Sequence, residues 1–349
     1  MKCVQKVSAS SASQHRRIPE SKDNAEVRAA LLSGAANVAG GTSWMWAREE
    51  FLEAVDVLFV DEAGQMSLAN VLAIAQSAHS LVLLGDPRQL EQPIQGSHPE
   101  GTAVSALEHV LGGAQTIADD RGLFLAESWR LPPEICDFTS ELFYERRLKA
   151  RSAPGLQVIS GAGRFDGSGL WFVPVEHDAN QSASPEEVEV VARLVESLSQ
   201  GNVRWRDRDD QIHALEQRDV LVIAPYNAQV ADLAARLPSG ARVGTVDKFQ
   251  GQEAPIVIFS LTTSTPQDAP RGMDFLFDPN RFNVATSRAI CACIVVGSPA
   301  LFEPDCRTPK QMRLANAFCR FLEVAREVRA DAGAATARES GSREAATRP

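Results

Sequence analysis

The sequence has 349 residues, enough for two ordinary domains, and 44% hydrophobic with 23% charged residues is a globular composition. No apolar run approaches the roughly 18 residues that a membrane helix needs. The N-terminus lacks the apolar core of a signal peptide. The net charge of −10 argues against a nucleic-acid partner held by a broad basic surface. It does not exclude a single strand held by stacking and backbone contacts.

Six cysteines are scattered along the chain without a C-x-x-C pair. Cys291 and Cys293 alternate on a predicted strand and therefore share one of its faces. This pattern favours buried, reduced thiols, and it fits a cytoplasmic location.

The first 60 residues predict a strand over 1–7, a polar loop over 8–23 and a helix over 25–32. Residues 38–44 predict a strand that runs into a glycine turn. Gly40 and Gly41 would permit another backbone to approach this turn closely. A short buried strand is then predicted over 57–60.

Two carboxylates, Asp61 and Glu62, stand where this strand should end. A carboxylate at the tip of a buried strand is poorly solvated, so it needs a cation or a hydrogen-bond donor. One interpretation is therefore a catalytic metal site. The other is that Asp61 caps the helix predicted to begin near Met66.

A second apolar strand over 81–84 ends in Gly-Asp-Pro-Arg-Gln-Leu, and the helix predicted over 66–78 separates it from the first strand. Two such strands are typical of neighbours in a parallel sheet, with both polar ends at one edge. A further helix is predicted over 102–111.

The second half of the sequence predicts more alternating strands and helices. We expect strands over 170–173, 220–224, 256–261 and 293–297, the last closing the sheet, and helices over 133–148, 185–198, 227–238, 282–289 and 308–328. Residues 203–218 are highly charged and predict a surface loop. We predict domains over 1–122 and 123–328 and a disordered tail over 329–349.

Five stretches, in order, resemble motifs II to VI of superfamily 1 helicases. They are VDEAGQ, GDPRQL, ESWRLPPEI, TVDKFQGQEAPIVI and NRFNVATSRA. The resemblance runs from about Val38 to about Phe321 and is nearest to superfamily 1B, in the helicase half of bacterial proteins that carry a RecB-like nuclease domain. It implies an α/β fold with two RecA-like parallel-sheet domains of the P-loop NTPase type, the first incomplete.

The resemblance implies a site for ATP and Mg²⁺ that takes groups from both domains. Asp61 would hold the metal, Glu62 would polarise the attacking water and Gln89 would sense the γ-phosphate, unless Gln89 belongs to an ordinary surface turn. The second domain would supply the remaining groups: Arg130 and Arg288 as arginine fingers, Trp129 stacked on the adenine, and Gly251 and Glu253 as nucleotide-binding residues, with Arg281 as a less certain helper.

Two of these implied roles have ordinary structural alternatives. Arg130 would otherwise form a surface ion pair, and the Thr245–Glu253 stretch would otherwise be a simple connection between strands.

The same resemblance implies contacts to single-stranded nucleic acid, taken as DNA. The glycine turn would contribute Gly40, Gly41 and Thr42, and the fifth motif would contribute Thr245 and Gln250. Trp44 and Trp46 either stack on bases or pack in the core.

No G-x-x-x-x-G-K-[ST] occurs in the 349 residues, so the phosphate-binding loop and its lysine have no match. We expect a chain that lacks the leading strand and P-loop of its first domain, as a fragment, a split gene product or the result of a mis-set start. The resemblance also implies a RecB-like nuclease domain encoded upstream as a partner.

Three functions remain open on the sequence alone. The first is the motor portion of an ATP-dependent DNA helicase. The second is an inactive nucleic-acid-binding or interaction module. The third is a nucleotide-driven switch with no nucleic-acid partner.

Overall fold

The structure, a computed structural model, describes residues 1–8, 18–90, 99, 101–151, 156–199 and 202–329. The chain divides into two compact units, Met1–Phe124 and Leu125–Pro349. Most of the predicted loop over 8–23 and the predicted tail from 330 onwards lie outside the described residues.

The first unit alternates short strands and helices. Its elements are β1 (Cys3–Lys6), β2 (Glu20–Ser21), α1 (Asn24–Leu32), β3 (Val38–Gly40), α2 (Ser43–Trp46), β4 (Val55–Val60), α3 (Leu68–Ala75), β5 (Ala78–Leu83) and α4 (Ala106–Leu111).

Its strands pair in two parallel groups, in the orders β2-β1-β3 and β4-β5. Because parallel pairing brings the carboxyl ends of β4 and β5 to one edge, the two polar turns that follow these strands become neighbours. The apolar core beneath includes Val27 and Phe51, neither of which is exposed.

The second unit is larger. Its elements are β6 (Glu127–Ser128), α5 (Pro133–Phe143), β7 (Lys149–Ala150), β8 (Ile159–Ser160), β9 (Gly169–Pro174), α6 (Pro185–Ser199), β10 (Arg204–Arg206), β11 (Ile212–Ala214), β12 (Val220–Ile223), α7 (Asn227–Arg236), β13 (Arg242–Gly244), β14 (Ala254–Ser260), α8 (Met273–Leu276), α9 (Pro279–Ser287), β15 (Ala289–Gly297), α10 (Pro309–Val324) and β16 (Arg326–Glu327).

Within the described residues, a six-stranded sheet in the order β13-β12-β14-β15-β9-β16 forms the centre of this unit. All its pairs are parallel. Every residue of β14 is buried, as expected for a strand covered by helices on both faces. The predicted α/β class with parallel sheets is therefore confirmed.

Several predicted elements need correction. The charged segment over 203–218 is not simply a loop, because β10 and β11 form an antiparallel hairpin within it. Trp205 of β10 packs on the core and stacks on His213 at 4.7 Å between ring centroids. Strand β15 does not close the sheet, since β9 and β16 lie beyond it.

Five helices are shorter than predicted. The helices expected over 66–78, 102–111, 133–148, 227–238 and 308–328 are Leu68–Ala75, Ala106–Leu111, Pro133–Phe143, Asn227–Arg236 and Pro309–Val324. The last ends early because the chain then enters β16.

The thiols of Cys291 and Cys293 are fully buried on β15, and all six cysteines are free, as predicted. Burial raises the pKa of each of these two thiols to about 12. Both therefore stay protonated and unreactive near neutral pH. Among the described residues, we find no helix with the length and apolar character needed to cross a bilayer.

Candidate functional site

The first part of the candidate site is the turn that follows β4. Asp61 and Glu62 are exposed there, and an Asp61 carboxylate oxygen accepts a hydrogen bond from the Glu62 N–H at 3.0 Å. Glu62 has a φ of 52°, a left-handed conformation that a side chain other than glycine adopts at some cost. The side-chain amide of Gln65 donates to the Glu62 carboxylate at 2.9 Å and holds it in place.

Asp61 is not a helix cap. Helix α3 begins at Leu68, and its N-cap is Ser67, whose hydroxyl accepts from the Asn70 N–H at 3.3 Å. The capping interpretation of Asp61 is therefore wrong. The expected burial is wrong too, since Asp61 is exposed and β4 is only partly buried, with Phe59 65% exposed.

The second part is the turn after β5, which carries Asp86 and Gln89. One Asp86 oxygen accepts from the Arg88 N–H at 2.8 Å, and the other accepts from the Gln89 amide at 3.1 Å. Sequence reasoning missed Asp86, although its place between Gly85 and a proline is typical of a turn-forming carboxylate.

Two glycines allow the two turns to approach each other closely. A Cβ on Gly64 would lie 2.5 Å from the Asp86 carbonyl oxygen, and a Cβ on Gly85, whose φ is +151°, would lie 2.9 Å from the Ala63 nitrogen. The Ala63 N–H also donates to the Leu84 carbonyl at 2.8 Å. The predicted residues Asp61, Glu62 and Gln89 are thus carried by two interlocked turns at one sheet edge.

The glycine turn after β3 forms a separate feature. Within the described ranges, no hydrogen bond joins Gly40, Gly41 or Thr42 to the turn of Asp61. The two tryptophans of α2 differ in their exposure to solvent. Trp46 is 6% exposed and packs on Phe51, whereas Trp44 is 85% exposed.

In the second unit, the side chains of two predicted residues meet near the backbone of a third. The Arg130 guanidinium lies 2.7 Å from the Glu253 carboxylate and also donates to the Ser287 carbonyl at 3.1 Å. Ser287 is followed by Arg288, the C-cap of α9, which is 3% exposed and whose carbonyl accepts from the Ala254 N–H at 3.1 Å. These hydrogen bonds place the Arg130 guanidinium against Glu253 and the backbone of Arg288 beside Ala254.

The Arg130–Glu253 pair is partly exposed, with side chains 35% and 52% accessible. An ion pair so open to water adds little to stability. Its consequence here is positional, because it fixes one guanidinium at the end of the strand connection that Glu253 occupies.

Trp129 is 54% exposed beside this cluster. The Arg151 guanidinium lies 4.6 Å from its ring centroid, and Arg151 also pairs with Glu127 at 2.8 Å. Part of the ring surface that an adenine would use is therefore in contact with a cation.

The fifth motif forms the turn between β13 and β14. Gly251 has a φ of +71°, and a Cβ added there would meet no atom within 4 Å, so its backbone lies open. Thr245 is partly buried, and its carbonyl accepts from the Lys248 N–H at 3.1 Å. The Gln250 amide nitrogen is buried and has no hydrogen-bond partner among the described residues, an arrangement that costs free energy until an acceptor is supplied.

Sequence reasoning missed a buried polar network at the carboxyl ends of β9 and β14. The side chains of His177 and Glu187 are fully buried, 2.9 Å apart, and the other nitrogen of His177 lies 2.7 Å from the Ser264 hydroxyl. Glu187 accepts from the Ser260 hydroxyl at 2.6 Å and from the Thr262 N–H at 2.9 Å.

This network contains a serine, a histidine and a carboxylate, but it is not a hydrolytic triad. Ser264 is fully buried, and its hydroxyl also accepts from the Asn180 N–H at 2.9 Å. No local spacing links these residues, since the His177–Ser264 contact spans 87 positions.

The donor set can be compared with the requirements of a magnesium nucleotide. Asp61 offers a hard carboxylate oxygen, the ligand type that Mg²⁺ prefers. In the second unit, the partly exposed Arg130 guanidinium offers the planar donors that suit phosphate oxygens, whereas Arg288 is 3% exposed. Each unit therefore carries residues whose chemistry fits part of a magnesium nucleotide, and the lysine of a P-loop has no match in the 349 residues.

Comparison with known proteins gives one family match. The family model AAA_12, described as an AAA domain, matches residues 104–300, more than half of the chain. The matched region contains Arg130, Glu253 and Arg288.

Two curated relatives are named for nucleic-acid enzymes. The 3′-5′ exoribonuclease HELZ2 of Mus musculus is 26% identical over 70% of this chain and 9% of its own length. The DNA replication ATP-dependent helicase/nuclease JHS1 of Arabidopsis thaliana is 25% identical over 75% of this chain and 20% of its own length. The chain thus spans a fifth or less of these relatives.

Among solved structures, arterivirus nonstructural protein 10 (helicase) in complex with DNA is 16% identical over 84% of this chain and 48% of that one, with a TM-score of 0.43. The family and the curated relatives support a superfamily 1 helicase. The nearer resemblance to RecB-like nuclease fusions and the loss of an upstream segment stay predictions.

Proposed function

Because the chain belongs to the AAA_12 family of AAA domains, we propose that it is the motor portion of an ATP-dependent superfamily 1 helicase acting on single-stranded nucleic acid. The observation that carries this proposal is the contact of Arg130 with Glu253, next to the backbone of Arg288. Arg130 lies more than 120 positions before the other two in sequence, yet its guanidinium bonds the Glu253 carboxylate and the carbonyl of Ser287, the residue before Arg288.

We assign a task to each of these residues, taken unit by unit. Asp61 holds the metal through a carboxylate oxygen. Glu62, kept in place by Gln65, accepts a proton from the attacking water. Arg130 and Arg288 neutralise the charge that develops on the transferred phosphoryl group, and Gln89 reports its presence. Bound Mg²⁺–ATP supplies the reactive phosphoanhydride.

The nucleic-acid strand is assigned to Gly40, Gly41 and Thr42 of the first unit and to Thr245 and Gln250 of the second. Support for the second group comes from the open backbone at Gly251 and the unsatisfied amide of Gln250. We take DNA as the strand. The names of the relatives include both a DNA replication helicase and an exoribonuclease, so the test includes RNA.

A second candidate function is a nucleic-acid-binding module that does not hydrolyse ATP. The observation in its favour is the absence of G-x-x-x-x-G-K-[ST] from the 349 residues, since that lysine contacts the transferred phosphate.

The two candidates separate in one assay, phosphate release from Mg²⁺–ATP by this chain with oligothymidylate, with oligouridylate or without either. Stimulation by an oligonucleotide supports the motor, and the stronger stimulant identifies the strand. Salt-sensitive binding without hydrolysis supports the second candidate. Hydrolysis that oligonucleotides do not stimulate, together with no oligonucleotide binding, would support a nucleotide-driven switch. It would contradict both candidate functions.

Glu62→Gln tests the motor more closely. With a P-loop segment joined upstream of residue 1, this change should lower the oligonucleotide-stimulated rate by about 100-fold or more and keep nucleotide binding, because it removes the proton acceptor but keeps the shape of the side chain. The matched control is Glu53→Gln, since Glu53 is an exposed acid of the same unit with a similar φ of 49°. Equal rates for the two variants would show that Glu62 is not the proton acceptor.

A further inference from the structure

The surface beside the fifth motif carries an aromatic ring in contact with two cations. Phe275 of α8 has the Arg271 guanidinium 3.8 Å from its ring centroid and the Arg281 guanidinium at 4.7 Å. The ring of Tyr226 lies 5.6 Å away. Neither Arg271 nor Phe275 belongs to the site described above.

The two arginines differ in their partners. Arg281 pairs with Asp247 at 3.0 Å and lies 3.8 Å from Asp278. Arg271 is exposed and contacts the ring of Phe275, and no carboxylate among the described residues is paired to it. In a chain of net charge −10, an exposed arginine without an acidic partner keeps its charge available to an anion.

Arg281 also connects this surface to the predicted strand site. Its partner Asp247 lies in the turn that carries Thr245 and Gln250. The group of Arg271, Phe275 and Arg281 is therefore continuous with the residues assigned to the nucleic-acid strand.

Contact with an aromatic ring suits a guanidinium that binds phosphate. The ring restricts the rotamers of the arginine, so less conformational entropy is lost when the side chain binds. The donors at the rim of the guanidinium remain able to form two parallel hydrogen bonds to a phosphodiester.

We propose that Arg271 is a phosphate-binding residue for the single strand and that Phe275 is its positioning residue. The inference rests on the proposed function, because it presumes that a strand passes the turn of Thr245 and Gln250. An acidic peptide would present similar anions, but the continuity with that turn favours a nucleic acid.

Binding of a fluorescent oligothymidylate to the whole chain, measured by anisotropy over a range of salt concentrations, tests this. Arg271→Gln should weaken binding by about 3- to 10-fold and reduce the magnitude of the salt slope by about 0.7, the value for one phosphate contact on a single strand. Arg271→Lys should keep the slope but not the full affinity, since an ammonium lacks the planar fork.

Phe275→Leu should weaken binding while leaving the slope unchanged, because the charge stays and only its placement is lost. The matched control is Arg193→Gln, which removes the same charge from the exposed face of α6 and should have no effect. Melting temperatures of all variants show whether each one folds. If Phe275→Leu does not fold, Arg271→Gln and Arg271→Lys still test whether Arg271 binds a phosphate of the strand.

The outcomes separate this inference from the function on which it rests. If the unaltered chain binds no oligonucleotide, the proposed function fails. If it binds and Arg271→Gln matches Arg193→Gln in affinity and slope, Arg271 is not a phosphate ligand and the inference alone fails. Stronger competition by polyglutamate than by unlabelled oligonucleotide would assign the site to an acidic peptide instead.

Discussion

Glu187 is a carboxylate with no exposed side-chain surface, and its partners keep it in the interior of the second unit. It receives hydrogen bonds from the Ser260 hydroxyl and the Thr262 N–H and contacts His177. Thr262 has a φ of 74°, so the same carboxylate stabilises a left-handed residue directly after the central strand. These contacts fix the course of the chain at the carboxyl edge of the sheet.

We therefore expect Glu187→Ala to lower the free energy of unfolding by about 3 kcal/mol, since each buried donor left without an acceptor costs about 1–3 kcal/mol. Glu187→Gln should cost less, because its amide oxygen can still accept from Thr262. Urea denaturation followed by circular dichroism measures both.

The control is Glu189→Ala on the same helix. Glu189 is exposed, and its partner Arg236 holds its pKa below the ordinary value. The paired carboxylate stabilises the fold only above its pKa range, and solvent screens the pair, so the urea midpoint near neutral pH should hardly change. Equal midpoints for the Glu187 and Glu189 variants would show that the network contributes nothing.

Individual residues of the candidate site could be predicted from the sequence only where they stand in a recognisable motif. Arg130, Glu253 and Arg288 could be proposed from sequence because each stands in a short pattern of fixed order. The ion pair of Arg130 with Glu253 spans 123 positions and follows only from strand order. The contact of Glu187 with Thr262 depends on the same long-range pairing, and no short pattern encodes it.

The two turns after β4 and β5 are packed directly against each other, because Gly64 and Gly85 have no side chains to keep them apart. Gly64→Ala should lower the free energy of unfolding by about 1–3 kcal/mol, since its Cβ would lie 2.5 Å from the Asp86 carbonyl oxygen. Gly40→Ala is the control, because the nearest atom to its Cβ is a Gln5 side-chain carbon at 4.0 Å. Thermal unfolding that does not distinguish the two variants would contradict the interlocked turns.

Strands could be predicted where burial alone determines the pattern of apolar residues in the sequence. The continuous apolar runs of β14 and β15 identify them as strands, since both faces are covered. The β10–β11 hairpin was missed because Trp205 supplies its main inward contact between two arginines, so the charges conceal the alternation. The interior place of β15 depends on pairing with β9, more than 100 residues earlier in the chain.

At the scale of the whole molecule, the net charge of −10 restricts how a nucleic acid can bind. A duplex held by its backbone needs a broad basic surface, which this composition does not supply. The cations beside the fifth motif are few. Arg271 has no carboxylate partner among the described residues, and Lys248 donates to the Val243 carbonyl at 2.8 Å.

Affinity for a single strand should therefore depend on salt with a slope of about −2, as expected for roughly three phosphate contacts at about 0.7 each. A duplex of the same sequence should bind more weakly, because its second strand adds phosphates that a chain of net charge −10 repels. Anisotropy titrations of both forms at several salt concentrations give the two slopes. A slope steeper than about −5, or a preference for the duplex, would mean that an extended basic surface binds the nucleic acid, and the short contact beside the fifth motif would no longer account for it.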